Sequence, residues 1–293
     1  MISIEKLSMF NIDKFRILYE TIEDSYLCDK GFFDIYDKES FLVKFIIRKQ
    51  VKLFKSNDNY VGYLWHECPD DSSKCCTIYG ISFKDDFIEH ITSNFLDHLS
   101  FKALRFEIVQ NAKNKLIMNR LGFNIQFKSI IMSLDLLEHS KLPEFKLPDN
   151  LKIKHFIKNK DEGLRCDIQN RIFGEKSRVP LTVSDIYQEE NEEYFIEDFS
   201  VFLKNSNDEI LGYGQIILSK NQYTIVNFGI LEQYRMRGYG EILLKYLINL
   251  CRLNSIYQIF IRVEEANIKA INLYTKVGFV KCNSCISWVK LFK

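Results

Sequence analysis

Apolar and polar residues in the second half of the chain alternate between two patterns. Short runs rich in β-branched and aromatic residues predict strands, and apolar positions at helical spacing predict helices. The predicted strands lie at 151–156, 198–204, 210–219, 223–231 and 257–263, with a strand pair after 279, and the predicted helices at 161–173, 183–191, 239–252 and 267–277. This order indicates an α+β fold with a mixed, mostly antiparallel central sheet flanked by helices.

The first half of the chain repeats several features of the second. The segment 56–63 recurs at 206–213, Gly80 corresponds to Gly229, and Asn111 corresponds to Asn267. Matches in the same order indicate a tandem duplication. The intervening stretch 142–150 holds two of the four prolines and suits a linker. We therefore expect a domain at 1–140, a linker at 141–150 and a domain at 151–293.

A basic turn with two glycines precedes the helix predicted at 239–252. It reads Arg235-Met236-Arg237-Gly238-Tyr239-Gly240 and is called the glycine turn below. A helix start carries unpaired N–H groups and about half a positive charge, and glycine lets an anion approach the backbone. The turn therefore predicts a pyrophosphate site. It is neither a three-glycine dinucleotide fingerprint nor a Walker loop.

A second motif runs from Asn267 to Phe279. Asn267 is placed to cap a helix and Gly278 to end it. Tyr274 shares one helix face with apolar neighbours, so it points inward. Taken alone, such a tyrosine is more often a core residue than a catalyst.

In order and distance, the two motifs resemble the acyl-CoA-binding turn and the following signature block of the GNAT superfamily of N-acyltransferases. The resemblance covers nearly the whole chain as two tandem GNAT-like domains, an architecture similar to that of mycothiol synthase. Its specific motifs lie only in the C-terminal half. The resemblance thus implies an acyl-CoA-binding catalytic domain at 151–293.

The resemblance also implies roles for individual residues. Acetyl-CoA would be the co-substrate, and the backbone N–H of Ile230 would polarise the thioester carbonyl. Asn267 would bind the pantetheine arm or orient its helix, and Tyr274 would act as general acid toward the departing thiolate. The implied CoA-binding residues are Ile230, Arg235, Met236, Arg237, Gly238, Tyr239, Gly240, Glu241 and Asn267.

The sequence leaves the acceptor and the general base open. The acceptor is expected to be a primary amine of a small molecule or peptide. Segment 223–230 has no carboxylate, although many family members carry one there, so Glu232, Glu264, Glu265 and water remain alternatives for the base. Arg178, in the loop that usually recognises the acceptor, could contact an anionic group, although a solvated arginine is the more common explanation.

The first half lacks the features that carry this chemistry. The segment 84–89, near the place of the glycine turn, has no glycine and three carboxylates, which would repel a pyrophosphate. Met118 takes the position of Tyr274. The N-terminal domain is therefore expected to be a degenerate GNAT copy.

The composition of the chain limits the classes of partner that are expected. The 293 residues are 46% hydrophobic, enough for two cores, and 40 basic residues balance 39 acidic ones. This balance disfavours nucleic acid and an anionic membrane as partners. The chain begins with no basic segment followed by an apolar one, and no window approaches 18 apolar residues. We expect a cytoplasmic protein, and its oligomeric state is not predicted.

The eight cysteines favour reduced thiols over a disulfide framework, and no metal site is expected. His66, Cys68, Cys75 and Cys76 form one group, and Cys282 and Cys285 form a C-x-x-C pair. Neither has the paired spacing typical of zinc sites.

Four functions remain open at this point: one favoured function and three alternatives. The favoured one is an N-acetyltransferase that uses acetyl-CoA. Transfer of a different acyl group and acyl-CoA sensing without turnover are the main alternatives. An interaction module built from two inactive domains is the third, and the intact glycine turn argues against it.

Overall fold

The computed structural model describes residues 2–22, 31–67, 75–99, 101–137, 145–174, 179–219 and 221–292. Eight α-helices and twelve β-strands lie in this part of the chain. They form two compact units: unit 1 comprises Met1–Ser129 and Asn283–Lys293, and unit 2 comprises Ile130–Cys282.

Unit 1 is a mixed sheet with helices. Its elements are β1 (Ile2–Lys6), α1 (Ile12–Ile22), α2 (Phe32–Tyr36), α3 (Phe41–Lys49), β2 (Val51–Ser56), β3 (Asn59–His66), β4 (Cys75–Phe83), β5 (Ala103–Val109) and α4 (Ala112–Arg120). The strands follow the order β1-β2-β3-β4-β5, and only the β4–β5 pair is parallel.

Unit 2 has the same plan with longer helices. Its elements are β7 (Leu151–His155), α5 (Glu162–Phe173), α6 (Val183–Glu190), β8 (Ser200–Asn205), β9 (Ile210–Ser219), β10 (Gln222–Ile230), α7 (Tyr239–Leu253), β11 (Gln258–Glu264) and α8 (Ile268–Val277). The strand order is β11-β10-β9-β8-β7, with β10 and β11 parallel. The expected α+β fold with a mostly antiparallel sheet is confirmed.

Two strands contribute residues to both units. β6 (Asn124–Asp135) passes from unit 1 into unit 2 at Ile130, and β12 (Val280–Leu291) passes from unit 2 into unit 1 at Asn283. Residues 285–291 of β12 pair with β5, so a strand from the end of the sequence completes the sheet of unit 1.

Because of this strand exchange, the boundaries between units 1 and 2 differ from the domain boundaries that the sequence repeat predicts. The domain ranges 1–140, 141–150 and 151–293 therefore stay a prediction about the duplication. The strand pair expected after Phe279 is wrong, because the structure has the single strand β12 there.

A glycine that recurs in both halves of the sequence is required by close strand packing in each unit. A Cβ at Gly62 would lie 2.3 Å from Cδ1 of Phe83, and a Cβ at Gly212 would lie 2.5 Å from the carbonyl oxygen of Gly229. Real Cβ atoms do not approach other atoms so closely. Only glycine therefore fits where these neighbouring strands meet, which explains why the segment 56–63 recurs at 206–213.

The cysteines do not all match the expectation. Five described cysteines form no disulfide bond: Cys75, Cys166, Cys251, Cys282 and Cys285. Cys76 is disulfide-bonded, so the expectation of reduced thiols is wrong at this position. Cys68 lies outside the described residues.

Trp288 provides a test of the strand exchange, because it is 1% exposed in the core of unit 1 although it follows unit 2 in the sequence. Replacing a buried tryptophan by alanine costs about 3–5 kcal/mol. We expect Trp288→Ala to lower the denaturant midpoint of unit 1, measured by the fluorescence of the chain's other tryptophan, Trp65, which also lies in unit 1. Val280→Ala, at a 64% exposed position of the same strand, should leave the midpoint unchanged. An equal shift in both variants would contradict the assignment of β12.

Candidate active site

The candidate site in unit 2 begins where β10 and β11 separate. The two strands pair at only three positions, the last being Ile225 with Ile261, although β10 continues to Ile230. The register of β10 against β9 also shifts between Val226 and Gly229. A bulge of this kind bends its strand away from a neighbour. The second half of β10 therefore has no strand partner on its β11 side within the described residues.

The backbone of Ile230 faces this opening. The N–H of Leu231 donates to the carbonyl of Leu211 at 2.9 Å, which makes Leu231 and Leu211 a hydrogen-bonded pair. The adjacent pair, Ile230 and Gly212, is then a non-hydrogen-bonded pair, whose N–H and C=O groups point away from β9. The position predicted to hold a thioester oxygen thus presents an N–H group toward the gap.

The glycine turn follows directly and ends at the start of α7. Gly238 has φ +81°, and a Cβ there would meet no atom within 4 Å, so the backbone is open to a ligand. The N–H groups of Tyr239 and Gly240 have no backbone acceptor among the described residues. The N–H of Glu241 already donates to the Gly238 carbonyl at 3.1 Å. Tyr239 and Gly240 are therefore better placed than Glu241 to receive an anion.

The two arginines of the turn differ in their contacts. Arg235 donates from Nε to the Ile230 carbonyl at 3.0 Å and from Nη2 to the Ile172 carbonyl at 3.1 Å. It therefore fastens the turn to β10 and to the end of α5. Arg237 is exposed and lies 6.0 Å from the ring of Tyr234. Met236, at 87% exposure, also faces solvent. Arg237 therefore supplies the solvent-exposed positive charge of the turn, whereas Arg235 is bound to backbone carbonyls.

Glu241 connects α7 to α8. Its carboxylate accepts hydrogen bonds from Lys245 at 2.7 Å and from Lys276 at 2.6 Å. These two hydrogen bonds hold the pKa of Glu241 below its usual value. The lysines thus offset the negative charge that Glu241 places near the glycine turn.

Tyr274 lies on α8 beside the bulge. It is 6% exposed and its ring centroid is 6.1 Å from that of Phe228. Its hydroxyl is not among the buried polar atoms left without a partner, and no described residue hydrogen-bonds to it, so the hydroxyl reaches the accessible surface. Burial raises the pKa of Tyr274 to about 12. The group is therefore protonated at neutral pH and can donate a proton.

Asn267 caps the helix that carries Tyr274. Its Oδ1 accepts the backbone N–H of Ala270 at 3.1 Å. This contact fixes the start of α8, and the expected role of Asn267 toward pantetheine stays a prediction. Of the other expected residues, Arg178 lies outside the described residues, and the alternative bases Glu232, Glu264 and Glu265 are all exposed.

A cavity of about 630 Å³ lies along the flank of α7. It shares Gly238 and Glu241 with the region of the turn and includes the basic residues Lys245, Arg252 and Lys276. Neither Ile230 nor Tyr274 lines it. The cavity therefore adjoins the glycine turn and not the bulge beside Tyr274.

Sequence reasoning missed a buried polar network on the other face of β10. Arg165 of α5, Glu189 of α6 and Gln215 of β9 are joined by hydrogen bonds that continue to Asn227 in the bulge. One signal was available: Gln215 interrupts an apolar strand, and a buried glutamine needs partners for its amide. The partners themselves come from distant parts of the sequence.

Unit 1 retains the scaffold without the site. Between β4 and β5 the described residues form a 3₁₀ helix at Asp85–His90 and turns, with no equivalent of α7. Phe83 packs against Phe87 and Phe95 there, with ring centroids 6.3 and 5.5 Å away. Met118 is buried where unit 2 has Tyr274. Aromatic packing after β4 thus stands in place of an open turn.

Known proteins share this architecture. The sequence model described as Acetyltransferase (GNAT) family matches residues 167–279. A GCN5-related N-acetyltransferase from Sphaerobacter thermophilus has a TM-score of 0.63 at 15% identity, covering 83% of this chain and 81% of that one. A tandem GNAT protein from the clavulanic acid biosynthesis pathway has a TM-score of 0.63 at 12% identity, covering 99% and 98%. A GNAT-family acetyltransferase from Colwellia psychrerythraea has 0.58 at 13%, covering 100% of both. No curated protein sequence matches the chain.

Residues 167–279 thus form a domain of the GNAT acetyltransferase family, and the chain has the fold of two GNAT-like halves in tandem. The matched segment runs from α5 to the end of α8 and contains both the glycine turn and Tyr274.

The described residues include no group of three or more His, Cys, Asp or Glu side chains suited to a metal ion. None of the described helices is both long and apolar enough to span a bilayer.

The raised pKa of Tyr274 predicts a pH-dependent loss of stability. An unfolded tyrosine ionises near pH 10, whereas folded Tyr274 ionises at about 12. Below pH 10 the hydroxyl is neutral in both the folded and the unfolded state, so its burial has no pH-dependent cost. As pH rises from about 10 to 12 the hydroxyl ionises in the unfolded state before it does so in the folded state, and the free energy of unfolding falls. In urea unfolding, wild type should lose more stability over this range than Tyr274→Phe. Tyr257→Phe, at a 57% exposed position, should behave like wild type; parallel curves for all three proteins would contradict the assignment.

Proposed function

We propose that unit 2 is an N-acetyltransferase that moves the acetyl group of acetyl-CoA to a primary amine. The observation that carries the proposal is the gap between β10 and β11, which lies beside both the glycine turn and Tyr274. A backbone edge, an anion site and a protonated hydroxyl thus follow one another along one strand and its two adjoining helices. These are the three kinds of partner that the pantetheine, the pyrophosphate and the thioester of an acyl-CoA need.

Binding would use mostly backbone groups. The amides of the pantetheine arm would pair with the open side of β10, in the way that a peptide adds to a sheet edge. The pyrophosphate would accept hydrogen bonds from the N–H groups of Tyr239 and Gly240, with the positive charge of Arg237 beside them. Arg235 would hold the turn in place through its two carbonyl contacts.

The transfer itself needs an oxyanion partner and an acid. The lone pair of the neutral amine forms a C–N bond with the thioester carbon, and the resulting oxyanion accepts the N–H of Ile230, a contribution of about 3 kcal/mol. The C–S bond then breaks with its electrons on sulfur, and Tyr274 gives its proton to the thiolate. The nitrogen releases a proton to water, and a solvent proton restores Tyr274. The products are an amide and CoA, with one proton released for each ammonium consumed.

The role of Gly238 can be tested without a change of backbone strain. Asparagine and aspartate both tolerate positive φ and have nearly the same size, but only aspartate carries a charge. We expect Gly238→Asn to keep acetyl-CoA affinity within a few-fold. Gly238→Asp should weaken binding tenfold or more, measured by calorimetry, because its carboxylate repels the pyrophosphate.

Gly163 supplies a matched control for this charge. It is exposed on α5, and a Cβ there meets no atom within 4 Å. Gly163→Asp should leave acetyl-CoA affinity unchanged. Equal affinities for Gly238→Asn and Gly238→Asp would place the ligand elsewhere.

Tyr274→Phe tests the general acid and separates an enzyme from an acyl-CoA sensor. Loss of a positioned acid lowers kcat by about 10²-fold or more, while the dissociation constant of acetyl-CoA should stay within about twofold. The measurement is release of free CoA thiol with a panel of primary amines, repeated with longer acyl-CoAs. A wild-type protein that binds acyl-CoA but releases no CoA with any amine would support the sensor, and an unchanged kcat in the variant would remove Tyr274 from the mechanism.

A further inference from the structure

The amide of Gln215 has only one possible orientation. Gln215 is fully buried on β9. Its Oε1 is 3.0 Å from Nη2 of Arg165, which can only donate, and its Nε2 is 3.0 Å from Oε1 of Glu189, which as a carboxylate can only accept. Exchanging the oxygen and nitrogen of Gln215 would place like groups against each other on both sides. Its carbonyl oxygen therefore points toward Arg165.

This orientation determines how Asn227 is turned. Nδ2 of Asn227 is 3.2 Å from the same carbonyl oxygen of Gln215. Since that oxygen accepts, Asn227 must present its NH₂ group to Gln215. The hydroxyl of Tyr213 is a third and longer donor at 3.3 Å. The oxygen of Asn227 consequently faces the opposite way, out of the network.

The oxygen of Asn227 is open. No described residue donates to its Oδ1, which is not one of the buried polar atoms left without a partner, so Oδ1 reaches solvent. Asn227 is also held in the left-handed region, with φ 49°, inside the bulge of β10. An outward acceptor atom on a residue fixed in both backbone and side chain is preorganised for a donor.

The network behind Asn227 is rigid. The guanidinium of Arg165 is fully buried, forms an ion pair with Glu189 at 2.5 Å, and lies 5.4 to 5.7 Å from the ring centres of Phe156, Phe195 and Tyr213. Breaking such a pair leaves an uncompensated buried charge, so its members do not exchange partners freely. Arg165 therefore fixes Gln215, and Gln215 fixes Asn227.

Neighbouring residues of β10 present their side chains to opposite faces. Phe228 contacts Tyr274 of α8, whereas Asn227 reaches the network of α5 and α6. Gly229 also faces α5, because a Cβ there would lie 2.3 Å from Cγ2 of Ile172. Tyr274, the proposed general acid, and the Asn227 side chain therefore lie on opposite faces of β10 at the bulge.

We propose that Asn227 binds the amine acceptor: its Oδ1 accepts a hydrogen bond from the nitrogen that attacks the thioester, and Gln215 is the positioning residue that orients it. This inference rests on the proposed acetyltransferase function. Asn227 is a neutral amide and takes no proton. It directs the nitrogen, and the proton that the nitrogen loses goes to water.

The test compares Asn227→Gly with Asn221→Gly. Asn221 is also an asparagine with positive φ, at 56°, in the turn before β10, so both variants remove the same side chain and keep a compatible backbone. The probes are acetyl-CoA and the fastest of three primary amines, spermidine, glucosamine and lysine amide. Asn227→Gly should raise the KM of the amine about tenfold, as expected for the loss of one hydrogen bond. The dissociation constant of acetyl-CoA and the rate of its hydrolysis without amine should stay within twofold.

Asn221→Gly should match wild type in both the amine KM and the acetyl-CoA dissociation constant. An unchanged amine KM in Asn227→Gly overturns the inference, as does a parallel rise in amine KM and acetyl-CoA dissociation constant, which would mark a purely structural role. Failure of the proposed function itself is distinguishable, because wild type would then bind no acetyl-CoA or acetylate none of the amines.

Discussion

The separation of β10 from β11 after Ile225 and Ile261 is the constraint on which the candidate site depends. Unpaired backbone at a sheet interior is costly unless water or a ligand satisfies it. The bulge persists because its surroundings accommodate it: Gly229 lets Ile172 approach closely, and Gly212 lets β9 stay paired on the other side. The gap is thus part of the packed structure and does not require a ligand to open it.

Charge in unit 2 is used in two ways that the sequence does not distinguish. Arg235 and Arg237 are two residues apart, yet the first holds backbone carbonyls of β10 and α5 while the second faces solvent. Arg165 is buried and serves to orient neutral amides. The contacts of these three arginines, and not their positions in the sequence, therefore separate structural guanidinium groups from one that faces solvent.

Local sequence patterns predicted the elements that depend on contacts between residues close in the sequence. The helix starting at Tyr239, its glycine turn and the cap at Asn267 follow from propensity and short-range hydrogen bonding, and they occur where expected. The Asn227 network was not predictable, because it joins residues from α5, α6, β9 and β10 whose proximity exists only in the folded unit. The course of β12 was missed for a similar reason: an apolar strand pattern states that a strand forms and does not state which sheet it joins.

The strand exchange also bears on synthesis of the chain. Domains usually fold as their residues leave the ribosome, the earlier one first. Here the sheet of unit 1 needs residues 285–291 opposite β5, and every residue of unit 2 precedes them. Until those residues emerge, β5 presents an unpaired edge, the kind of surface on which misassembly begins. The half that is translated first is therefore the half that is completed last, and unit 2 can reach its native fold before unit 1 has gained its final strand.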